Sequence, residues 1–321
     1  MLADRGTLNR VKVITAAQAQ AALDYGELVE SMRRAHLKAR AATDDVYLEQ
    51  PDLGFGPNGF LVRPAWQHGE RLGAKLATVF PENPERDMLT VHAVYVLFDG
   101  TDGSPLAVMD GTVLTWYKTA CDSALAASFL AREDAANLTM VGAGAMAPHL
   151  IRAHIAVRPS LNEVRIWNRT TERAQELADS LRIDGVTFEV VTDLPKAVAA
   201  ADIISVATRS PYGVIAGANV APGTHLDLVG AYTPDMREVD DVTIRRGSLY
   251  VDLVETAMLT GELIQPIASG AMTVDDIVAD LYELCQGTKP GRQSSEAITI
   301  FKNGGGGHLD LMTANHILEN A

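Results

Sequence analysis

Cysteine is scarce in this sequence of 321 residues. Cys121 and Cys285 are the only two cysteines, and they lie far apart without metal-ligand spacing. Secreted domains held by disulfides need several cysteines at short intervals, and zinc sites need closely spaced ligand pairs. We therefore expect no disulfide framework and no metal site, and a reducing cytoplasm is the predicted location.

Long apolar runs and an excess of positive charge are also missing. No run approaches the roughly 18 apolar residues of a membrane helix, and residues 1–6 are not followed by a signal-type apolar core. The 27 Lys and Arg residues are outnumbered by 41 Asp and Glu, which gives a net charge of −14. Nucleic acids and membrane surfaces require a basic face, so we expect neither as a partner, whereas a small anionic substrate needs only local positive charge.

The chain contains two regions with different patterns of apolar and turn residues, and about two domains are typical for its length. Residues 46–118 contain short β-type runs with turn signals at residues 54–59, 81–84 and 99–103, which predicts an antiparallel sheet or partial barrel. After a connecting helix at residues 120–131, strands and helices alternate from residue 138 onward, which predicts a parallel sheet. The predicted fold class is α/β, with a Rossmann domain and a second, α+β domain.

Local signals predict further elements. Thr15 and Gln18 have the spacing of a capping box, and apolar residues recur at helical spacing after it. Residues 273–284 predict a late helix with Thr273 as its cap. A glycine run at residues 304–307 precedes a predicted final helix.

Residues 138–147 have the order of a dinucleotide-binding turn, with an apolar strand, Gly-x-Gly-x-x-Ala and then a helical pattern. Gly142 permits the tight turn, and Gly144 lets a pyrophosphate approach the backbone. The small Ala147 allows the helix to pack close to the strand, while the helix N-terminus faces the phosphates. The stretch therefore predicts a bound dinucleotide.

The end of the next strand predicts which dinucleotide binds. At this point an Asp or Glu accepts from the ribose 2′-hydroxyl and repels a 2′-phosphate. The strand at residues 164–167 leads instead into Asn168, Arg169 and Thr170, which offer a guanidinium and hydrogen-bond donors to a phosphate. The sequence favours NADP(H) over NAD(H), the alternative being that Arg169 is a solvated residue before a helix.

Short blocks along nearly the whole chain carry a family resemblance. They are residues 73–76 with 81–84, 110–115, 119–120 with 123–124, the turn at 142, 167–170, 201–204, 229–231 with 234 and 237–238, and 299–302 with the glycine run and Asp310. In this order and spacing, the blocks resemble the ornithine cyclodeaminase/mu-crystallin family. The resemblance implies a homodimer and hydride chemistry at the α-carbon of an amino acid or its imine.

The resemblance also implies a division of the chain and a set of cofactor contacts. Residues 1–119, completed by 300–321, are expected to form a substrate-binding and dimerisation domain, with a Rossmann domain of residues 120–299 inserted between them. The composition also places the split near residue 120. The implied cofactor contacts are Thr119, Gly142, Gly144, Ala145, Met146, Asn168, Arg169, Thr170, Ala207, Thr208, Val229 and Gly230.

Three residues match the family's catalytic positions. Lys75 matches a lysine that clamps the substrate carboxylate or donates a proton, and Thr90 matches a threonine of the substrate site, although Leu89 replaces the usual preceding proline. Lys118 stands where the family usually has an arginine, so the positive charge is kept but the bidentate fork is lost. An upstream family arginine is missing, and Arg63 is a candidate to compensate for it.

Tyr232 is the departure that bears most directly on the reaction. Cyclodeaminases of the family carry an aspartate here for proton transfer during ring closure, and a tyrosine cannot replace an ionised carboxylate near neutral pH. Asp235 is close enough in sequence to be considered as a substitute. The continuation at residues 234–238 resembles mu-crystallin, whose activity within the family is ketimine reduction.

The sequence therefore predicts an NAD(P)H-dependent reductase of a cyclic imino acid, converting 1-pyrroline-2-carboxylate to L-proline or 1-piperideine-2-carboxylate to L-pipecolate. His92 and Gly305 are further candidates for contacts to this substrate. The first alternative is ornithine cyclodeamination, from L-ornithine to L-proline plus ammonia, or a related amino-acid dehydrogenation. The second is a non-enzymatic protein that binds a small molecule.

Overall fold

The structure is a computed structural model that describes residues 11–50 and 58–321, and the chain divides into two units. The first unit comprises Met1–Lys118 and Gly306–Ala321, and the second comprises Thr119–Gly305. The chain therefore re-enters the first unit at residue 306 rather than at the predicted residue 300. The difference arises because Thr299–Lys302 is a strand inside the sheet of the second unit.

The first unit is built on a mixed sheet. Its described strands are β1 (Lys12–Ile14), β2 (Ala42–Thr43), β3 (Val46–Gln50), β4 (Asn58–Gln67), β5 (Arg71–Val79), β6 (Val91–Asp99) and β7 (Pro105–Asp110). Their order is β1-β7-β6-β5-β4-β2, and β3 also pairs with β4. All these pairs are antiparallel except β1 with β7, which confirms the predicted antiparallel sheet.

Helices begin at capping residues that are visible in the sequence. The first three are α1 (Ala16–Ala21), α2 (Tyr25–His36) and α3 (Gly111–Leu130). Helix α1 starts at the predicted capping box, in which the Thr15 hydroxyl accepts from the Gln18 amide. Helix α3 starts directly after β7, where the Asp110 carboxylate accepts from the Val113 amide. Residues 111–118, predicted as part of the β-type region, are therefore helical, and the boundary between the units falls inside α3.

The second unit is a parallel sheet flanked by helices. Its described strands are β8 (Asn137–Val141), β9 (Glu163–Trp167), β10 (Thr187–Val190), β11 (Ile203–Val206), β12 (His225–Leu228), β13 (Ser248–Val251), β14 (Ile277–Asp280) and β15 (Thr299–Lys302). Its helices are α4 (Ala147–Val157), α5 (Thr171–Ser180), α6 (Leu194–Ala199), α7 (Asp241–Arg246), α8 (Val254–Ala257), α9 (Gly261–Ala268) and α10 (Leu281–Gln286). The strand order β10-β9-β8-β11-β12-β15-β13-β14 confirms the predicted Rossmann fold.

The first unit is completed by the C-terminal helix α11 (Gly307–Asn320), which packs against α2, β4 and β5. Sheet register aligns Arg63, Lys75 and Tyr95 across β4, β5 and β6. Residues paired in an antiparallel sheet share a face, so these three side chains lie on one side of it. Lys75 and Tyr95 are buried there, on the face that α11 covers.

The predicted late helix at residues 273–284 is wrong in part. Thr273 and Asp276 do form a capping box, but it closes only a short 3-10 turn. Strand β14 follows and pairs with β13, and α10 begins after a second capping box between Asp280 and Glu283. The turn predicted at residues 54–59 lies mostly outside the described residues. Within the described ranges, no helix has both the length and the apolar character needed to cross a bilayer.

Candidate active site

The turn after β8 requires a glycine at its first position. Gly142 has φ of 108°, and its amide donates to the Trp167 carbonyl at 2.8 Å. A Cβ added here would lie 2.5 Å from the carbonyl oxygen of Ala207, at the end of the adjacent strand β11. Both the backbone conformation and the close approach therefore exclude a side chain.

The second glycine of the turn faces open space. A Cβ added at Gly144 would meet nothing within 4 Å, so a ligand can approach the backbone here. Helix α4 then begins at the buried Ala147, and no side chain of the described residues caps its N-terminus. Ala145 and Met146 lie between these positions, Ala145 being exposed. Open backbone followed by an uncapped helix N-terminus fits the pyrophosphate of a dinucleotide.

At the tip of β9, the side chain of one residue forms hydrogen bonds within the protein and those of the next two are exposed. The Asn168 side chain accepts from the Ala143 amide at 3.2 Å and donates to the Thr170 carbonyl at 2.8 Å, so it holds the tip against the glycine turn. Arg169 and Thr170 are exposed, and the Arg169 guanidinium forms no ion pair with any residue that the structure describes. Residues 168–170 thus present a free positive charge without a carboxylate.

The loops after β11 and β12 are held together by one buried carboxylate. Glu238 accepts from the Thr208 amide at 2.8 Å and its hydroxyl at 3.2 Å, and from the Gly230 amide at 2.7 Å. Ala207 and Val229 continue these strands, and the Val229 amide donates to the Val206 carbonyl. Ligands of open α/β sheets bind at this carboxyl edge, so the predicted cofactor contacts at residues 207–208 and 229–230 share one fixed surface.

Two further predicted contacts of the second unit are fixed by polar side chains. The Thr119 carbonyl accepts from the Asn303 side chain at 3.0 Å. Gly305 has φ of 70°, and its amide donates to the buried Asp252 carboxylate. The glycine run is therefore ordered at Gly305 by a side chain rather than being a flexible turn.

The first unit contains a buried ion pair. The Lys75 ammonium lies 3.0 and 2.9 Å from the two oxygens of Asp310, which comes from α11. Burial lowers the pKa of Lys75 to about 8, with Asp310 opposing the shift and the positive charges of Lys118 and Arg63 reinforcing it. The same three cations hold the pKa of Asp310 below its usual range although burial acts in the other direction. Asp310 is thus ionised and Lys75 is poised to release a proton close to neutral pH.

Lys118 is a buried cation without a direct ion-pair partner among the described residues. Its side chain is only 3% exposed, and it forms no hydrogen bond or ion pair with any described residue. Arg63, by contrast, binds Asp45 at 2.6 Å. Burial, with the positive charges nearby, also keeps the pKa of His308 well below its ordinary value, so this imidazole is neutral. The cluster of Lys75, Asp310, Arg63 and Lys118 therefore complements a small anion.

The sequence profile of the ornithine cyclodeaminase/mu-crystallin family matches residues 26–321. The chain belongs to this family. It is 45% identical over 298 residues to the Delta(1)-pyrroline-2-carboxylate reductase of Paracoccus denitrificans, and the match covers 92% of each chain. A similar solved structure is Thermococcus litoralis Delta(1)-pyrroline-2-carboxylate reductase in complex with NADH and L-proline, at 28% identity with a TM-score of 0.90 over 97% of each chain. Another is an archaeal alanine dehydrogenase dimer with bound NAD, at 27% identity with a TM-score of 0.88 over 97% of this chain and 96% of that one.

The positions of three further predicted site residues, His92, Thr90 and Tyr232, follow from the strands that carry or adjoin them. His92 pairs with Thr78, so it lies on the opposite face of the sheet from Lys75. Thr90 precedes β6, and its carbonyl accepts from the Phe80 amide at 2.8 Å. Tyr232 follows β12 in the second unit and is 53% exposed.

Asp310 and Glu238 were not among the residues that sequence reasoning selected for the site. Both residues occur in the sequence blocks that identify the family, but the sequence does not show which groups their carboxylates contact. Asp310 is separated from Lys75 by 235 positions, so the pair exists only through the packing of α11.

Proposed function

We propose that this protein is a nicotinamide-dinucleotide-dependent reductase of a cyclic imino acid, with 1-pyrroline-2-carboxylate or 1-piperideine-2-carboxylate as substrate. The observation that carries the proposal is the buried cation of Lys118, which lacks a direct ion-pair partner among the described residues, in the cluster around the Lys75–Asp310 pair. A cyclic imino acid presents one carboxylate and one basic nitrogen, which a free ammonium and a proton donor complement. Similarity to the reductases of P. denitrificans and T. litoralis supports the same substrate class.

In this proposal Lys118 holds the substrate carboxylate. Lys75 and Arg63 already bind Asp310 and Asp45, so Lys118 is the cation whose charge remains available. An arriving carboxylate gains a charge-assisted hydrogen bond there without displacing an existing partner. Because a lysine lacks the arginine fork, orientation of the substrate depends on a second contact, which the hydrogen bond from Lys75 to the imine nitrogen would supply.

Lys75 is the proposed source of the proton for the imine nitrogen. Its pKa of about 8 keeps it mostly protonated at pH 7 while making it a stronger acid than an ordinary lysine. Asp310 keeps the ammonium in place during the transfer. When bound, the reduced dinucleotide supplies the hydride that the protonated imine carbon accepts. Lys75 then regains its proton from water.

The second candidate is ornithine cyclodeamination. It needs a carboxylate for proton transfer where this chain has Tyr232, whose side chain is exposed after β12. Asp235, the carboxylate nearest in sequence, accepts from the Thr233 hydroxyl and lies on the exposed surface. Neither residue offers a buried acid or base, so the reductase is favoured.

NADP(H) is the proposed cofactor in preference to NAD(H). The unpaired, exposed Arg169 at the tip of β9 supports this choice, since a 2′-phosphate would give it a partner. The T. litoralis reductase structure holds NADH and the archaeal alanine dehydrogenase structure holds NAD. The preference therefore rests on this chain's own residues at the tip of β9.

We further propose that the protein is a homodimer that acts in the cytoplasm on a small molecule. An apolar, exposed face on the sheet of the first unit supports the dimer, as does similarity to the archaeal alanine dehydrogenase dimer. The scarcity of cysteine supports a reducing compartment.

Paired assays on the purified protein test the reaction. We expect loss of NADPH absorbance with 1-pyrroline-2-carboxylate or 1-piperideine-2-carboxylate, and no ammonia release from L-ornithine with NAD⁺. Ammonia release without imine reduction would favour the cyclodeaminase. Absence of both activities, with a ligand still bound, would identify a binding protein and overturn the proposal.

Exchanging Arg169 tests the cofactor preference. In Arg169→Ser we expect the KM for NADPH to rise about tenfold or more, because a charge-assisted phosphate contact is lost. The KM for NADH should change less than about twofold, since NADH carries no 2′-phosphate. Arg173→Ser, at an exposed position on the following helix, is the matched control. Equal effects on NADPH and NADH would show that Arg169 does not bind the 2′-phosphate.

A further inference from the structure

Glu238 is a fully buried carboxylate at the carboxyl edge of the second unit's sheet. It lies beneath the carboxyl ends of the neighbouring strands β11 and β12, with both oxygens used. One oxygen accepts from the Thr208 amide and hydroxyl, and the other accepts from the Gly230 amide. The carboxylate therefore joins Thr208, in the loop after β11, to Gly230, in the loop after β12 that also contains Glu238.

The backbone of Glu238 is fixed as firmly as its side chain. Its amide donates to the Glu262 carboxylate at 2.7 Å, and its carbonyl accepts from the amides of Val214 and Ile215. Glu262 is also buried and accepts from the Val239 amide at 3.1 Å. Because the backbone of Glu238 is fixed, its side chain holds the two loops in a defined position.

The space between the two loops is filled completely. A Cβ added at Gly230 would lie 2.0 Å from the Thr208 carbonyl oxygen and 2.5 Å from a Glu238 oxygen. Glycine is thus required at residue 230, and any shift of Glu238 changes the spacing of both loops. The contact among Thr208, Gly230 and Glu238 acts as one packed unit.

A buried ammonium partly compensates the two carboxylates. Lys302, at the end of β15, donates to the Leu228 carbonyl at 3.1 Å and is fully buried. Burial raises the pKa of Glu238 and the neighbouring Glu262 reinforces this shift, whereas Lys302 and the amides of Thr208 and Gly230 oppose it. The loop amides and the Lys302 ammonium thus favour the ionised form of Glu238, while burial acts against it.

We propose that Glu238 is a positioning residue that fixes the loops after β11 and β12 for the nicotinamide half of the cofactor. The inference rests on the proposed function, because it takes the bound ligand to be a nicotinamide dinucleotide. The glycine turn after β8 and the tip of β9 would bind the pyrophosphate and the adenosine, and neither contacts Glu238 among the described residues. Glu238 therefore acts on one half of the ligand only.

The substitution Glu238→Gln tests this assignment with little change in shape. An amide keeps one acceptor oxygen but turns a donor toward either the Thr208 or the Gly230 amide, so one loop loses its contact. We expect the Kd for NADPH to rise about tenfold, as for the loss of one charge-assisted hydrogen bond. The Kd for 2′,5′-ADP, which lacks the nicotinamide half, should stay within about twofold of the parent.

Asp240→Asn is the matched control. Asp240 lies two residues away and its carboxylate accepts from the amides of Gly217 and Thr243, but it does not hold Thr208 or Gly230. The hydrogen bonds that the Asp240 side chain accepts from Gly217 and Thr243 all end on one oxygen, which the amide retains. We expect both Kd values to remain at those of the parent in this variant.

The results separate a positioning role from a merely structural one. Equal weakening of NADPH and 2′,5′-ADP in Glu238→Gln, or no change in either, would overturn the assignment. Thermal unfolding checks that the variant folds, and if it does not, Glu238→Asp, which is too short to reach both loops, is measured with the same two ligands. Because these measurements use no imine, failure of the parent to reduce an imine would reject the proposed reaction and leave the result for Glu238 intact.

Discussion

At the scale of single residues, the two buried lysines of the first unit differ in what surrounds them. Lys75 binds both oxygens of Asp310, whereas Lys118 has no carboxylate partner among the described residues. A buried ammonium without a partner is unfavourable, so the protein gains stability when an anion binds beside it. From the sequence alone both lysines were candidates to hold a carboxylate, and only their surroundings distinguish the two.

Removal of the charge at Lys118 should therefore weaken substrate binding. In Lys118→Met we expect the KM for the imino acid to rise roughly 10- to 100-fold, as for the loss of a hydrogen bond between charged groups. Lys118→Arg should retain most of the affinity because it keeps the charge. The control is Lys38→Met, at an exposed lysine that pairs with Glu70. Steady-state kinetics at saturating NADPH check the prediction, and a KM unchanged in Lys118→Met would contradict it.

Asp310 should control the pH range in which the enzyme works. Lys75, with a pKa of about 8, is protonated below that value, so reductase activity should fall as the pH rises through about 8. Asp310 raises the pKa of Lys75, so Asp310→Asn should move this alkaline limb to lower pH by about one unit. The measurement is kcat/KM against pH for both proteins.

Asp99→Asn is the control for that experiment, because Asp99 is a carboxylate of the same sheet that pairs with Arg71. Its profile should match that of the parent. A limb that stays in place in Asp310→Asn would show that Lys75 is not the proton donor. Thermal unfolding should accompany the profiles, since loss of one member of a buried ion pair destabilises the fold.

At the scale of elements, helices and strands that form through local interactions were predicted well, and those that depend on distant partners were not. The helices and strands from β8 to β12 could be predicted closely because each has a local apolar pattern and clear turns. Helix α3 was assigned too short because Thr112, Val113 and Thr115 are β-branched, although Asp110 caps the helix. Strand β14 was missed because its formation depends on pairing with β13, which no local pattern shows.

The same distinction between local and distant interactions applies to the residues of the candidate site. The turn at Gly142 and the tip at Arg169 follow from short segments whose chemistry is readable in sequence. The Lys75–Asp310 pair joins distant segments, and the face on which His92 lies follows from the pairing of β6 with β5. Predicting contacts between distant elements therefore requires knowledge of the sheet register.

The two glycines of the turn should respond differently to substitution by alanine. In Gly142→Ala the new Cβ meets the Ala207 carbonyl at a positive φ, so we expect a loss of about 1–3 kcal/mol in the free energy of unfolding even without cofactor. In Gly144→Ala the methyl group enters open space, so stability should change by less than about 0.5 kcal/mol. NADPH binding should nevertheless weaken, because the methyl occupies the approach of the pyrophosphate.

Denaturant unfolding and NADPH titration of both variants check this pair. Each variant serves as the control for the other, since both add one methyl group to the same turn. Equal losses of stability would contradict the assignment of Gly144 to the ligand side.

At the scale of the whole molecule, one face of the first unit's sheet carries exposed apolar side chains among the described residues. The cross-strand pair Leu48 and Phe60 lies there, on the side opposite Lys75, and Leu48 is 58% exposed. Trp66 and Val94 have the same parity and are exposed as well. Contiguous exposed apolar residues mark interaction surfaces, and a second copy of the chain is the proposed partner.

A charge on this face should dissociate the proposed homodimer. We expect the parent to have about twice the monomer mass in light scattering, because a two-fold dimer is the commonest assembly. Leu48→Glu places a carboxylate on both copies of a self-complementary interface, so the dimer Kd should rise at least about tenfold. Leu259→Glu, at a leucine of the second unit that is 62% exposed, should leave the mass unchanged. A monomeric parent, or equal effects of the two substitutions, would show that this face does not bind a second copy.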